Sequence, residues 1–183
     1  MKKFLPLAWL LCTLSLSAQS PGADDFEIRN RVLIKYRGIG GEVLIPPTLK
    51  IDRIGRRAFA GSPVKTLAIP MGVGFIDEQA FAGCSFLETV SLPNTLVRIG
   101  EKAFFNCVSL KQVNWPISLL TIEDGAFFNC RSIEELILPG VLTYIGSSAF
   151  SGCVGLKTLS LSRRTVLGRH PFMGVQCGIT YRD

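Results

Sequence analysis

The chain has 183 residues, a length that suits one domain or one repeat array, and its 48% hydrophobic and 19% charged residues exclude general disorder. The formal net charge is +6, with both ends basic and the middle acidic. The basic residues do not alternate with aromatic ones along a repeating face, so we predict no nucleic-acid partner.

The N-terminal residues have the pattern of a secretory signal peptide. Residues 1–3 are positively charged at Lys2 and Lys3, residues 4–16 are apolar, and Ser17-Ala18 supplies small residues at a cleavage site. A membrane-spanning helix needs about 20 apolar residues, and this run is shorter. We therefore predict a signal peptide over residues 1–18 and no transmembrane segment in the mature chain.

Lipid attachment at Cys12 is an alternative mode of export. Bacterial lipoprotein signals usually place a small residue before the cysteine, whereas Leu11 precedes Cys12 here. In both cases the mature protein is expected to be secreted or displayed at the cell surface. Residues 19–25 are polar and are predicted to form a flexible lead-in.

Short strands are predicted over residues 26–45. Turn signals occur at Asn30-Arg31 and in the glycine-rich stretch 38–41, and between them apolar residues favour strands. This segment is predicted to form an N-terminal β-hairpin cap on the repeats that follow.

An internal repeat of 23 residues dominates residues 46–162. Each copy contains an Ala-Phe pair such as Ala103-Phe104, and a cysteine recurs from Cys84 to Cys153 at the same interval. A glycine after the preceding isoleucine is common but is replaced at Asp77 and Glu123, so a positive φ is not required there. The prolines that mark the five copies are Pro47, Pro70, Pro93, Pro116 and Pro139.

The repeat period is typical of a leucine-rich-repeat solenoid. The stretch Leu110-x-x-Val113-x-Trp115 predicts a strand, and Ile99, Ala103 and Cys107 at steps of four predict a short helical turn on the other side of the coil. We expect about five coils, with a parallel β-sheet on one face and short helical turns on the other. Residues 163–183 are predicted to be a degenerate C-terminal capping repeat.

The repeat unit Ile-Gly-x-x-Ala-Phe-x-x-Cys-x-x-Leu-x-x-Leu-x-Leu-Pro resembles the BspA-like leucine-rich repeats of bacterial surface proteins. The resemblance is carried by residues 99–116 and 145–161, although Ser162 replaces the closing proline in the second stretch. It implies an exported, often cell-surface protein, and some members of the family bind host matrix proteins or other microbial cells.

Residues for catalysis or for holding a cofactor or metal are scarce. His170 is the only histidine and lies between Arg169 and Pro171, where it is expected to be a surface residue. The recurring cysteines occupy a position predicted to face inward, where cysteine acts as a small hydrophobic residue. We therefore predict free, reduced thiols in preference to metal ligands or disulfides, no cofactor and no enzymatic activity.

The outward positions of the strands form the predicted protein-binding face. One further column alternates in charge from Lys65 to Lys157, which favours pairing between neighbouring rungs. The candidate binding residues on the strands are Thr66, Thr89, Ser91, Gln112, Asn114, Glu135, Ile137, Thr158 and Ser160.

Phe105 and Phe128 are two further candidate binding residues. Each directly follows the Phe of the recurring Ala-Phe pair in its coil. Other copies have Ala or Ser at this next position. The two phenylalanines either form an exposed apolar pair or pack between coils.

In all, the sequence favours a binding or adhesion module whose partner is an extracellular protein or glycoprotein of host matrix or microbial origin. The alternative is a structural spacer or self-associating surface protein without a distinct ligand.

Overall fold

The computed structural model describes residues 22–182, which form a solenoid of seven turns. The predicted signal peptide and Cys12 lie outside the described residues. Among those described, no helix has the length and apolar character needed to cross a membrane. A single turn of 3-10 helix covers Ala23–Asp25, at the end of the segment predicted to be flexible, and another covers Pro47–Leu49.

Fifteen short strands make up the solenoid. They are β1 (Phe26–Arg29), β2 (Val32–Tyr36), β3 (Gly41–Leu44), β4 (Arg53–Ile54), β5 (Val64–Ala68), β6 (Phe75–Ile76), β7 (Thr89–Ser91), β8 (Arg98–Ile99), β9 (Gln112–Asn114), β10 (Thr121–Ile122), β11 (Glu135–Ile137), β12 (Tyr144–Ile145), β13 (Thr158–Ser162), β14 (Val166–Leu167) and β15 (Ile179–Arg182).

Two sheets run along the solenoid. The strands of the leucine-rich motif form the front sheet, which consists of two parallel blocks, β3-β5-β7-β9 and β11-β13-β15. The second sheet is continuous, with the order β1-β2-β4-β6-β8-β10-β12-β14, and is parallel except for the β1–β2 hairpin. This arrangement confirms the predicted leucine-rich-repeat solenoid.

The β1–β2 hairpin closes the N-terminal end of the interior. Asn30 and Arg31 at its turn have φ values of 49° and 65°, as a two-residue type I′ turn requires. Phe26 is buried and its ring lies 5.4 Å from that of Tyr36, which stacks on Phe59 at 4.8 Å. The hairpin therefore covers the apolar face that the first repeat would otherwise expose.

A column of aromatic rings forms the centre of the core. Equivalent phenylalanines of successive turns stack with ring centroids 4.9 to 5.7 Å apart. All but the last are fully buried, so the predicted stacking of coil on coil is confirmed. The column consists of Phe59, Phe81, Phe104, Phe127, Phe150 and Phe172.

The predicted helical turns are absent from the repeats, and hydrogen-bonded turns take their place. In each turn two residues four apart adopt the left-handed conformation, for example Lys102 and Asn106 with φ of 52° and 59°. A left-handed residue interrupts right-handed helical winding. The N–H groups of Lys102, Phe104 and Asn106 donate to carbonyls of the next turn, with N···O distances of 2.7 to 2.9 Å.

These segments form a third set of backbone hydrogen bonds between turns, which we name the turn ladder. It comprises residues 57–61, 79–83, 102–106, 125–129, 148–152 and 170–174. Gly55, Gly100 and Gly146 precede it and do not have positive φ. A side chain at Gly100 would bring Cβ within 2.8 Å of the Ile76 carbonyl oxygen, so close approach of backbones favours glycine there.

Candidate binding face

The front strands alternate inward and outward side chains, as half-buried strands do. Inward residues such as Leu67, Val90 and Leu136 are buried. The outward side chains form two columns along the front sheet. The first column holds Glu42, Thr66, Thr89, Gln112, Glu135 and Thr158, and the second holds Leu44, Ala68, Ser91, Asn114, Ile137 and Ser160.

Glu42 and Leu44 extend both columns and were missed in the sequence. Strand β3 pairs in parallel with β5, so Glu42 lies beside Thr66 and Leu44 beside Ala68. The signal was present, because Ile45-Pro46 repeats the Ile69-Pro70 pair that ends the next front strand. The segment expected to act only as a cap therefore also contributes to the front face.

Three of the predicted residues lie together in the N-terminal half of the front sheet. Thr66, Thr89 and Ser91 line a shallow concavity of about 520 Å³, which Leu44 and Pro46 border. Leu44 is 60% exposed. Hydroxyl groups beside an exposed apolar side chain provide both hydrogen-bonding and apolar contact, the combination that ligand sites use.

The front sheet is broken between β9 and β11, which do not pair although their turns are consecutive. Trp115 lies at this break, in the position that Leu92 and Leu138 fill in neighbouring turns. Its indole points toward the next turn and meets the ring of Phe127 edge-on, with centroids 5.2 Å apart. A side chain larger than leucine at a packed position forces its surroundings apart, and here the backbones of β9 and β11 separate.

A second concavity of about 570 Å³ lies at this break and brings two more predicted residues together. Gln112 and Glu135 face each other across it, and Lys111, Arg131, Ser132 and Glu134 complete its polar lining. In an intact parallel sheet the edges of β9 and β11 would be paired. Here the two strands are not paired with each other beside the concavity.

The predicted ladder of alternating charge is interrupted at the same place. Lys111 lies 3.4 Å from Glu88, and Lys157 lies 2.8 Å from Glu134, each measured between nitrogen and oxygen. Within residues 22–182 no ion pair joins Lys111 to Glu134. The break in the front sheet therefore has Lys111 on one side and Glu134 on the other, and each forms its ion pair with a residue on its own side.

Two predicted residues are engaged within the fold. The Asn114 side chain accepts a hydrogen bond from the Leu92 N–H at 2.6 Å and donates one to the Leu92 carbonyl at 2.9 Å. The Asn114 side chain therefore takes the place of a backbone hydrogen bond between turns. Ser160 is only 7% exposed, and its hydroxyl has no partner. Ile137 and Thr158 remain exposed in the C-terminal block.

Phe105 and Phe128 lie on the turn ladder, away from the front sheet. Their rings stack at 5.2 Å with planes 11° apart, and both side chains are half-buried. They pack between turns and still show one edge to solvent. These two residues therefore form a pair of their own and do not join the front-face candidates.

The cysteines form a buried column in which each thiol donates to a backbone carbonyl. The Cys130 Sγ lies 3.2 Å from the Phe104 oxygen, and the Cys153 Sγ lies 3.2 Å from the Phe127 oxygen. All five cysteines of the described residues are free. Burial raises the pKa of Cys130 well above its usual value and that of Cys153 to about 12, so these thiols stay protonated and unreactive at neutral pH.

Metal-binding geometry is absent from residues 22–182, where no three His, Cys, Asp or Glu side chains are grouped to hold an ion. His170 is exposed and belongs to the turn ladder with φ of 48°. Its carbonyl oxygen accepts hydrogen bonds from the Ser151 hydroxyl and the Met173 N–H, so His170 has a backbone role in the last turn.

Comparison with known proteins agrees with this architecture. Residues 52–177 match the family model for the BspA type leucine-rich repeat region, in six copies. No curated protein matches the chain.

Solved structures of bacterial leucine-rich repeat proteins are similar to this fold. One from T. pallidum is 27% identical, has a TM-score of 0.72 and matches over 82% of each chain. One from Bacteroides ovatus is 27% identical with a TM-score of 0.64, over 81% of this chain and 46% of that one. A leucine-rich cell surface protein from Faecalibacterium prausnitzii shares the fold, with 23% identity and a TM-score of 0.71, over 87% of this chain and 48% of that one.

Proposed function

The chain belongs to the BspA-type leucine-rich repeat family, and from this premise we propose that it is an exported binding module whose front sheet recognises a protein or glycoprotein. The observation that carries the proposal is the contrast between the two sides of the front strands. Their inward residues are apolar in every turn, whereas their outward residues range over Thr, Gln and Glu in one column and over Leu, Ala, Ser, Asn and Ile in the other, and they surround two concavities.

Rigid strands suit recognition because they fix the direction of each side chain before the ligand arrives. The hydroxyls of Thr66, Thr89 and Ser91 line one concavity, and Gln112 with Glu135 lines the other. Both lie on the front face of the solenoid, so a single extended surface of a partner can contact both. An extended face of this kind suits a macromolecule better than a small metabolite.

Export through residues 1–18 is part of the proposal, with lipid attachment at Cys12 as the alternative. The F. prausnitzii protein of similar fold is described as a cell surface protein, and a surface location here is consistent with that description. Mass spectrometry of the mature N-terminus distinguishes the two routes. Cleavage before Gln19 supports the first, and an acylated Cys12 supports the second.

A binding role without catalysis is supported by the chemistry of the interior and the surface. The buried thiols of Cys130 and Cys153 have raised pKa values and are protonated at neutral pH, and His170 is held in the last turn of the ladder. A general base and nucleophile within hydrogen-bond reach of each other are the usual minimum for acyl transfer. Turnover in a broad hydrolase screen with the purified protein would contradict this part of the proposal.

The main experiment is a binding screen of the mature protein against immobilised matrix glycoproteins and intact microbial surfaces, at low and high salt. A specific ligand should remain bound at high salt, whereas simple charge attraction is screened. A bound partner should lose affinity with Thr89→Arg or Gln112→Arg, which place a bulky charge in the two concavities.

Thr121→Arg provides the matched control, because the second sheet already carries arginine at the equivalent position of other turns, at the neighbouring Arg98 and at Arg53. This change adds the same charge and bulk away from the front face. Equal loss of binding in all three variants, or no loss in the two front-face variants, would refute recognition by the front sheet.

A further inference from the structure

One phenylalanine of the front face is exposed at a position where later turns carry a small residue. Phe86 directly precedes the buried Leu87, and its equivalents in the next three turns are Ser109, Ser132 and Gly155. The Phe86 side chain is 65% exposed and has no ring contact with another aromatic residue within residues 22–182. Single exposed apolar residues are common, so the surroundings of Phe86 decide whether it has a role.

Phe86 stands at a hollow of about 450 Å³, which we name the Phe86 hollow. Because Thr66 pairs with Thr89, the counterpart of Phe86 in the preceding turn is Pro63. Apolar side chains of two neighbouring turns therefore flank one opening. The hollow is lined by Gly41, Pro63, Lys65, Phe86 and Glu88.

The Phe86 hollow is continuous with the first concavity along the front strands. On β3, Gly41 lines the hollow, whereas Leu44 lines the concavity and is 60% exposed. On β5, Lys65 lines the hollow and Ala68 lines the concavity. Three residues of extended strand span about 10 Å. The N-terminal block of the front sheet therefore presents two openings with exposed apolar groups, a short distance apart in the direction of its strands.

A carboxylate without a partner lies between the two openings. Glu42 stands between Gly41 and Leu44 on β3, is exposed, and forms no hydrogen bond or ion pair within residues 22–182. The nearby Glu88 is engaged, because its carboxylate lies 3.8 Å from the Lys65 nitrogen. Charge complementarity at Glu42 therefore favours a cationic side chain of a partner, placed between two apolar ones.

We propose that the N-terminal block of the front sheet binds an extended polypeptide segment in which a Lys or Arg stands between two apolar residues, each two positions away. Alternate side chains of an extended chain point the same way, so three of them meet the surface over about 13 Å. The apolar side chains enter the Phe86 hollow and the first concavity, and the cation pairs with Glu42. The inference rests on recognition by the front sheet, as proposed above, and names the chemistry of the partner.

The probe is a nine-residue fluorescein-labelled peptide with the central sequence Leu-Ser-Arg-Ser-Leu between Gly-Ser ends, and fluorescence anisotropy with the mature protein is the measurement. We expect saturable binding. A peptide of the same composition with the central sequence Ser-Leu-Arg-Leu-Ser turns both leucines away from the face of the arginine, and it should bind at least about tenfold more weakly. Equal binding of the two peptides would overturn the proposal, because composition alone would then account for it.

Phe86→Ser tests the apolar contact. It restores the residue type of later turns and should weaken peptide binding about tenfold, with an unchanged melting temperature because the ring is exposed. Ile117→Ser is the matched control, because Ile117 is 72% exposed and lines neither opening. It should leave binding unchanged. Equal weakening by the two variants would show non-specific apolar contact and overturn the proposal.

Glu42→Gln tests the charge contact. It should weaken binding of the arginine peptide about fivefold, as expected for an exposed ion pair. A peptide with glutamine in place of arginine should bind wild type and Glu42→Gln alike. Glu135→Gln makes the same change of charge in the same outward column beyond the break, and should leave binding unchanged. Equal losses in Glu42→Gln and Glu135→Gln would show general charge attraction and overturn the proposal.

The oligomeric state and the partner screen supply the remaining outcomes. Dimers seen by light scattering that Phe86→Ser dissociates and the peptide does not would assign this surface to a second copy of the chain. A screened partner that Thr89→Arg or Gln112→Arg releases, but that Phe86→Ser and Glu42→Gln bind as wild type does, would uphold recognition by the front sheet and overturn the peptide proposal alone. The absence of peptide binding to a folded wild-type protein would also overturn it.

Discussion

The Arg53 guanidinium reaches across one turn of the solenoid to the carboxylate of Asp77, with an N–O distance of 2.7 Å. Asp77 takes the place of a glycine that other repeats carry, and it also lies 3.8 Å from Arg98 of the following turn. Glu123 makes the same replacement two turns later and lies 3.2 Å from Arg98. The two acidic departures from the repeat therefore join a row of charges along the second sheet.

Asp77→Gly restores the common repeat residue and should nevertheless destabilise the protein. The change removes the carboxylate between two partly exposed guanidinium groups, which is expected to cost up to about 1 kcal/mol and less at high salt. Urea unfolding at two salt concentrations measures it. Glu134→Gln, at the more exposed pair with Lys157, is the control and should cost less. A higher free energy of unfolding for Asp77→Gly than for wild type would show that the row of charges along the second sheet does not stabilise the protein.

Trp115→Leu should close the break in the front sheet. Leucine fits the position in neighbouring turns, so β9 and β11 can then approach and pair. Hydrogen exchange should show at least about tenfold slower exchange of the Glu134 and Glu135 amides, because paired amides exchange only on opening. Trp115→Phe keeps an aromatic ring and serves as the control. Unchanged exchange in Trp115→Leu would show that the indole does not cause the separation.

Phe104→Ala should be strongly destabilising. Its ring is fully buried and stacks on Phe81 and Phe127 at 4.9 Å on both sides. Loss of such a ring typically costs about 3 to 5 kcal/mol. Phe86→Ala is the matched control, because Phe86 is 65% exposed, and the expected change is within about 0.5 kcal/mol. Thermal or urea unfolding distinguishes them, and similar effects of the two changes would contradict the stacked core.

Alkaline pH should destabilise the fold through the buried thiols. Burial raises the pKa of Cys153 from 9.0 to about 12, so the folded state holds the thiol proton more tightly than the unfolded chain. The contribution of this thiol to the free energy of unfolding is therefore fully present below about pH 9. It is lost as the pH rises toward 12, and the loss for this one group is roughly 4 kcal/mol. Cys153→Ala should reduce the dependence of unfolding free energy on pH over this range, and an unchanged dependence would refute the assignment.

The 23-residue period is enough to predict the stacking of turns, because equivalent residues can be buried only when the copies lie above one another. The phenylalanine column and the inward cysteines follow directly from it. The turn ladder does not, because residues such as Lys102 and Ser148 adopt positive φ without being glycine or asparagine. Their conformation is held by hydrogen bonds to the next turn, a tertiary interaction that local sequence does not encode.

The candidate face was predicted in outline, and its details required the structure. The outward columns follow from strand alternation, but the divided front sheet depends on how one indole packs against Phe127 in another turn. Ser160 shows a second limit. Its column is outward in other turns, yet β15 lies beside it and Ser160 is buried. Packing against a neighbouring element decided both cases.

The spacing of the left-handed residues also explains where the repeats tolerate a change of length. The two residues are four apart in every turn from Arg57 to Gly174, and each segment donates to the next. The shortened first repeat loses its residue after Gly61, at Ser62-Pro63, where the chain passes to the front sheet. Length also changes where the chain leaves the front sheet, because Leu44 precedes Arg53 by nine positions whereas Ala68 precedes Phe75 by seven. Both corners of the front sheet can therefore accept insertions or deletions without breaking the scaffold.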